Sequence, residues 1–258
     1  MAVPHVSWPD FIEQFQWQQG EHVTAIGPTG AGKTVLIKQV LEVRERRGGH
    51  VCVMASKPVD PRLSELGRRG YVRMPEWTPN GVGPEAYVRT WREVARKFFN
   101  ALRDKPTPHD PEIDRILLWP RFRGPDDFEH QRDVFGQAFA DMFTAGKWCV
   151  YLDELRWFND QLDLSEWPRI YWLQGRSLKL SLVVSTQRPR WVPLEAFNQA
   201  THLFLWRTSD AQDLKRLADL GSARVDEIRD TAARLERFDV LYVNTRDDTL
   251  LVTRAPFE

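Results

Sequence analysis

The chain has only two cysteines, Cys52 and Cys149, each inside an apolar run, so it carries neither a disulfide framework nor a cysteine-built zinc site. Its six histidines are scattered with no HExxH spacing, which removes that metal signature too. Net charge is also missing, because 36 Lys and Arg balance 36 Asp and Glu. A protein that coats nucleic acid through its overall charge is thereby excluded; a local basic patch is not. No stretch reaches the roughly 18 apolar residues that a membrane span needs. The opening MAVPHVSWPDFIEQF lacks the basic and apolar regions of a secretory leader. Internal repeats and low-complexity segments are absent as well. The expectation is a soluble protein of a reducing compartment. What remains is 258 residues, 42% hydrophobic and 28% charged, enough for a substantial buried core and too apolar for a disordered tail.

Chain order points to an α/β protein. Trp8, Phe11, Ile12, Phe15 and Trp17 are spaced along one face of an opening amphipathic segment, taken as residues 1–20, with a single domain over 21–258. His22 to Ile26 reads as a buried strand feeding a glycine-rich turn. A helix from Gly32 to about Arg47 turns Val35, Leu36, Val40, Leu41 and Val43 inward, and a second strand runs from Val51 to Met54. Strand, loop, helix, strand is the unit of a parallel sheet. Further strands are expected at Ile116–Trp119, Trp148–Leu152, Leu180–Ser185 and His202–Trp206. Helices are expected over 84–103, after a cap at Asp126, and as a pair over 209–235, with a mobile loop at 104–111. A hairpin, Val240–Val243 and Leu250–Val252, is turned by residues 244–248. The fold class is therefore a doubly wound, mainly parallel α/β sheet with a C-terminal antiparallel hairpin.

Three motifs carry chemistry. Gly27-Pro28-Thr29-Gly30-Ala31-Gly32-Lys33-Thr34 fits GxxxxGK[ST], and it sits between a buried strand and a helix start, where backbone N–H groups and the helix terminus cradle phosphates. Lys33 is placed to reach the outer phosphates and the Thr34 hydroxyl to ligate Mg²⁺. Trp148 to Leu152 ends in Asp153-Glu154, at the strand end where open α/β sheets bind ligands. This is a Walker B pattern, with Asp153 for the metal and Glu154 to orient or deprotonate the attacking water. The strand Leu180–Ser185 leads into Gln187, a neutral side chain able to bond both a γ-phosphate oxygen and that water.

Taken in order, Gly27–Thr34, Tyr151-Leu-Asp-Glu154 and Ser185-Thr-Gln-Arg-Pro189 resemble the FtsK–HerA superfamily of DNA-pumping ATPases, and most of all its small viral genome-packaging members. The likeness spans residues 20–207, with gaps between motifs. It implies a RecA-like P-loop NTPase core in a homo-oligomeric ring of five or six subunits. ATP and Mg²⁺ would lie between neighbours and double-stranded DNA in a central pore. It also implies a viral portal or capsid vertex as a partner, in host cytoplasm or associated with the virion. A trans-acting arginine is expected, with Arg176 first and Arg188 and Arg207 behind it. Compared with the large cellular members, the expectation is a protein without a membrane anchor and without a winged-helix module.

Arg121 and Arg123, within Trp119-Pro-Arg-Phe-Arg123, are the candidates for DNA contact, ahead of Arg44, Arg46 and Arg47, which complement a helix C-terminus. Three rivals compete. A GTPase would need NKxD, and Asn244-Thr-Arg-Asp247 places Thr245 where the lysine should be. A P-loop small-molecule kinase explains neither Glu154 nor the Ser-Thr-Gln-Arg-Pro run. A nucleotide-regulated switch protein that moves no DNA accounts for every motif and is the main alternative.

Overall fold

The computed structural model describes residues 3–77, 115–219 and 224–254. The expected helix over 84–103 and the loop at 104–111 lie outside these residues. Nine strands form one sheet: β1 (His22–Ile26), β2 (His50–Met54), β3 (Val72–Met74), β4 (Arg115–Leu118), β5 (Trp148–Leu152), β6 (Ser181–Thr186), β7 (Ala200–Trp206), β8 (Asp239–Asn244) and β9 (Thr249–Arg254). Their order is β3-β4-β2-β5-β6-β1-β7-β8-β9. Every pairing from β3 to β7 is parallel, whereas β7–β8 and β8–β9 are antiparallel. This is the expected doubly wound sheet with its antiparallel edge.

The strands are apolar on both sides, as a sheet covered on both faces requires. Cys52 and Met54 of β2, Val150 and Leu152 of β5, and Leu203 and Leu205 of β7 point into one core. That core is covered by α4 (Phe128–Ala145), α5 (Glu166–Gln174), α6 (Leu194–Asn198), α7 (Ala211–Leu217) and α8 (Val225–Arg234). Val51 and Val53, Tyr151, and Phe204 and Trp206 point the other way. They pack under α1 (Trp8–Gln14), α2 (Lys33–Glu45) and α3 (Pro61–Ser64). No described helix is long and apolar enough to cross a membrane.

The aromatic face of the opening segment is spent on this second core. Phe11 packs 4.9 Å from the Tyr242 ring and Phe15 4.9 Å from the His202 ring, measured between centroids. The fully buried Trp17 donates its indole N–H to the Glu21 carbonyl at 3.0 Å. Just before α1, the chain runs beside β9, with Val6 N–H donating to Val252 O and Val252 N–H to Pro4 O.

One element escaped the sequence pattern and one expectation needs correction. The three-residue β3 is too short for a periodic pattern to reveal. Asp126 does not cap α4: Pro125 starts a 3₁₀ turn, and the residue before the helix is Asp127, whose carboxylate caps nothing. Instead it accepts from Arg121 Nε at 3.0 Å and from the Arg123 backbone N–H at 2.6 Å.

At the amino edge of the sheet, buried His22 accepts from the Leu182 N–H through Nδ1 at 3.0 Å, so its ring is neutral. Burial, and after it the Arg176 guanidinium, push its pKa down to about 4. Between about pH 6.5 and 4 the unfolded chain therefore binds a proton that the folded chain refuses, and stability falls as pH falls. Denaturant titrations at pH 7 and pH 5 should show this loss, up to about 1.4 kcal/mol per pH unit for one proton. His22→Asn, which keeps an acceptor without titrating, should reduce the slope without abolishing it, because burial also pushes the His202 pKa down to about 4; an unchanged slope would remove His22 as a source.

Candidate nucleotide site

The carboxyl ends of β1, β2, β5 and β6 meet at one cavity of about 340 Å³. Its wall includes Thr29, Gly30, Gly32, Lys33 and Thr34 from the loop after β1, Asp153 and Glu154 after β5, and Gln187 after β6. Three sequence-separated motifs thus converge because their strands are parallel neighbours and each motif lies just past a strand end.

Backbone constraints explain the glycines. Gly32, immediately before α2, has φ of +96°, a region that L side chains rarely adopt. Gly27 has a different reason: a Cβ there would lie 2.7 Å from Trp206 Cβ, so loop and β7 can meet only without a side chain. Gly27 N–H also donates to Thr186 O at 3.1 Å, extending the β1–β6 ladder into the loop.

Lys33 folds back on its own loop, donating Nζ to Gly27 O at 2.6 Å and Pro28 O at 3.0 Å. Desolvation lowers its pKa, while the nearby Glu154 charge works the other way. The ammonium is therefore a desolvated cation satisfied by two carbonyls, and phosphate oxygens are stronger acceptors. Across the cavity, Gln187 Nε2 donates to Glu154 Oε2 at 3.3 Å, and Glu154 Oε1 is buried without a hydrogen-bond partner. Burial raises the Glu154 pKa, against the pull of Lys33. A carboxylate so placed is a better proton acceptor than one in water. The two loops are also braced: the Ser185 hydroxyl donates to the Asp153 carbonyl, and Tyr151 OH lies 3.3 Å from both Asp153 Oδ1 and Ser185 Oγ.

The sequence reading missed the contribution of β2. Lys57, three residues past its end, pairs through Nζ with Asp153 Oδ2 at 2.8 Å and Asp60 Oδ2 at 3.3 Å. Asp60, Pro61 and Arg62 complete that side of the cavity. The available signal was positional: a lysine just beyond a buried strand, on the same sheet edge as the other motifs.

The donor set suits Mg²⁺. The Thr34 hydroxyl and the Asp153 carboxylate line one cavity, and that carboxylate is already held by a cation, Lys57. Among the described residues no group of three or more His, Cys, Asp and Glu could hold a metal unaided.

The remaining candidates fall elsewhere. Arg176 is exposed in the 3₁₀ turn Gly175–Leu178 before β6, on the sheet edge opposite the phosphate loop, so it does not reach the cavity of its own chain. Arg188 is committed within the chain, to Asp210 Oδ2 at 2.6 Å and Asp213 Oδ2 at 2.9 Å. Arg207 lines a second cavity of about 300 Å³, on the β7 side of the loop, together with Pro28, Thr29 and Trp206. Arg121 is more than half exposed but bonded to Asp127, and Arg123 follows it in the same loop. The Asn244–Asp247 run is a self-bonded turn, with Arg246 N–H donating to Asn244 Oδ1, at the edge away from the phosphate loop. It reads no guanine there.

No protein-family model and no curated protein matches the chain. Solved structures do. The DNA-packaging ATPase B204 from Sulfolobus Turreted Icosahedral Virus is 15% identical, with 94% of this chain and 100% of that one covered and a TM-score of 0.62. VirB4 of Thermoanaerobacter pseudethanolicus is 13% identical over 92% of this chain and 89% of its own, at TM-score 0.60. The plasmid coupling protein TrwB, in complex with ADP and Mg²⁺, is 13% identical over 99% and 94%, at TM-score 0.61. The resemblance drawn from three motifs therefore holds at the level of architecture, and the chain has the P-loop α/β fold that these solved structures share.

Proposed function

We propose that this protein is an ATPase that hydrolyses Mg-ATP to move double-stranded DNA, in the manner of a genome-packaging motor. The observation that carries the hydrolytic half is the pairing of Glu154 with Gln187 at 3.3 Å, across the cavity from Lys33. A kinase site presents its base to a substrate hydroxyl, whereas hydrolysis needs a group that positions water at the γ-phosphate, and an amide beside a carboxylate can do so.

The cycle follows from the chain's own groups. Lys33 leaves the Gly27 and Pro28 carbonyls for the outer phosphates. Gln187 and Glu154 orient a water, and Glu154 takes its proton through the unpartnered Oε1 as the oxygen attacks the γ-phosphorus and the bond to the bridging oxygen breaks, leaving ADP and phosphate. Thr34 and Asp153 would hold Mg²⁺, which supplies neutralisation of phosphate charge. When the phosphate leaves, Gln187 loses a partner. Because Arg188, next in sequence, is tied to the α7 start through Asp210 and Asp213, that loss is felt at the β6 loop and α7 together.

The placement of Arg176 supports a trans role, since a ring brings one subunit's far edge to another's site. Ring assembly with five or six members, a central pore in which Arg121 and Arg123 contact double-stranded DNA, a portal or capsid partner and a location in host cytoplasm or on the virion belong to this reading. B204, a DNA-packaging ATPase by description, supports it. The test is steady-state ATP hydrolysis with and without long double-stranded DNA, with Glu154→Gln as the blank and light scattering for mass. Strong stimulation in a ring-sized species is expected. Hydrolysis indifferent to DNA, from a monomer, would overturn the motor and leave the nucleotide switch.

A further inference from the structure

Asp153 is the most enclosed carboxylate of the cavity, with its side chain 1% exposed, yet its cation partner comes from a half-exposed lysine on a different loop. Among the described residues no other cation pairs with it. Lys57 has a second acceptor within reach, Asp60 Oδ2 at 3.3 Å. Asp60 itself is fixed, because its Oδ1 caps α3 by accepting from Arg62 N at 3.0 Å and Leu63 N at 3.2 Å. One ammonium is thus suspended between a buried carboxylate in the nucleotide cavity and an anchored carboxylate at its rim.

We propose that Lys57 is a positioning residue that fills the cation position of Asp153 while nucleotide is absent and yields it by moving onto Asp60 when Mg-nucleotide arrives. The inference rests on the ATPase reading for its second half; the first half concerns the nucleotide-free protein alone. The physical reason is charge balance. Without nucleotide, Asp153 and Glu154 would be two adjacent carboxylates beside a phosphate-binding loop, open to any divalent ion and repelling incoming phosphate. A tethered ammonium neutralises Asp153 at high effective concentration and must be displaced by any free metal, so it competes with metal that comes without nucleotide. Asp60 keeps the lysine charge solvated and paired after displacement, which lowers the cost of the exchange. It also keeps the lysine at the cavity rim, ready to return when product leaves.

The test uses Mn²⁺ as the probe, read by electron paramagnetic resonance on the full-length, nucleotide-free protein. Lys57→Met should bind Mn²⁺ at least tenfold more tightly than the unmodified protein, and Lys57→Arg should stay near it. In a second measurement, Kd for a fluorescent ATP analogue is taken in EDTA and in excess Mg²⁺. The ratio of the two should rise about tenfold in Lys57→Met, because metal-free triphosphate now meets a bare carboxylate pair. Asp60→Asn, which keeps the capping oxygen, should weaken both Mg-nucleotide binding and Mn²⁺ binding to the free protein several-fold, because either ligand must displace the lysine onto a residue that no longer pairs with it. Unaltered Mn²⁺ affinity in a folded Lys57→Met protein, checked by its circular-dichroism melt, would overturn the proposal. Lys57→Gln serves if the methionine variant does not fold. Failure of the unmodified protein to bind nucleotide would instead sink the ATPase reading, and the Mn²⁺ comparison would stand apart from it.

Discussion

Glu154→Gln is expected to bind Mg-ATP as the unmodified protein does and to hydrolyse it on the order of 10²–10⁴-fold more slowly. The substitution keeps the shape and an acceptor for Gln187 Nε2, which now donates to Glu154 Oε2 at 3.3 Å, so the wall of the cavity should survive. What it removes is the ability to take a proton. That ability depends on burial, which raises the Glu154 pKa against the opposing charge of Lys33. A base must be deprotonated to act, so the rate should fall on the acid side, through a pKa above the usual 4.5 for a glutamate. Glu154→Gln should have no such limb. Single-turnover hydrolysis with radiolabelled ATP, beside equilibrium binding of the same nucleotide, separates the two effects. Turnover within tenfold of the unmodified protein would remove Glu154 as the base, and lost binding would make its role structural.

The second large effect is Lys33→Ala, for which nucleotide affinity should fall by on the order of 10²–10³ and hydrolysis should become undetectable. A hydrogen bond to a charged group contributes about 1.5–3 kcal/mol, and the lysine is positioned to make more than one to the outer phosphates. The free protein should hardly notice. In it, Lys33 bonds only the Gly27 and Pro28 carbonyls, and its burial costs desolvation that alanine does not incur. Thermal melts therefore discriminate cleanly. The melting temperature without ligand should change little, while the upward shift produced by saturating Mg-ATP in the unmodified protein should vanish. A variant that melts much earlier without ligand would show that the lysine holds the loop together rather than the nucleotide.

Legibility differed by scale. The phosphate loop, Asp153-Glu154 and Gln187 were readable because each follows an unbroken apolar run, and strands buried on both faces leave such runs in the sequence. Their convergence was readable from order alone, since parallel neighbours put their carboxyl ends on one edge. Lys57 escaped for the opposite reason. Ala55-Ser56-Lys57-Pro58 resembles an ordinary loop, and only the β2–β5 register, Met54 beside Leu152, brings the lysine to Asp153. Short elements were invisible to periodicity, as β3 shows. Asp126 misled because its neighbour Asp127 found better partners in Arg121 and Arg123 than in the α4 backbone.

The pairing of residues 4–6 with β9 has a kinetic meaning. Phe11 and Phe15, early in synthesis, are covered by Phe204 and Tyr242, which emerge late. Contacts so distant along the chain close slowly, because loop entropy must be overcome before burial rewards it. Until then an aromatic face stands open to chaperones or to other nascent chains. Refolding yield should accordingly be limited by this final closure, with burial of the α1 aromatics trailing formation of the central parallel strands.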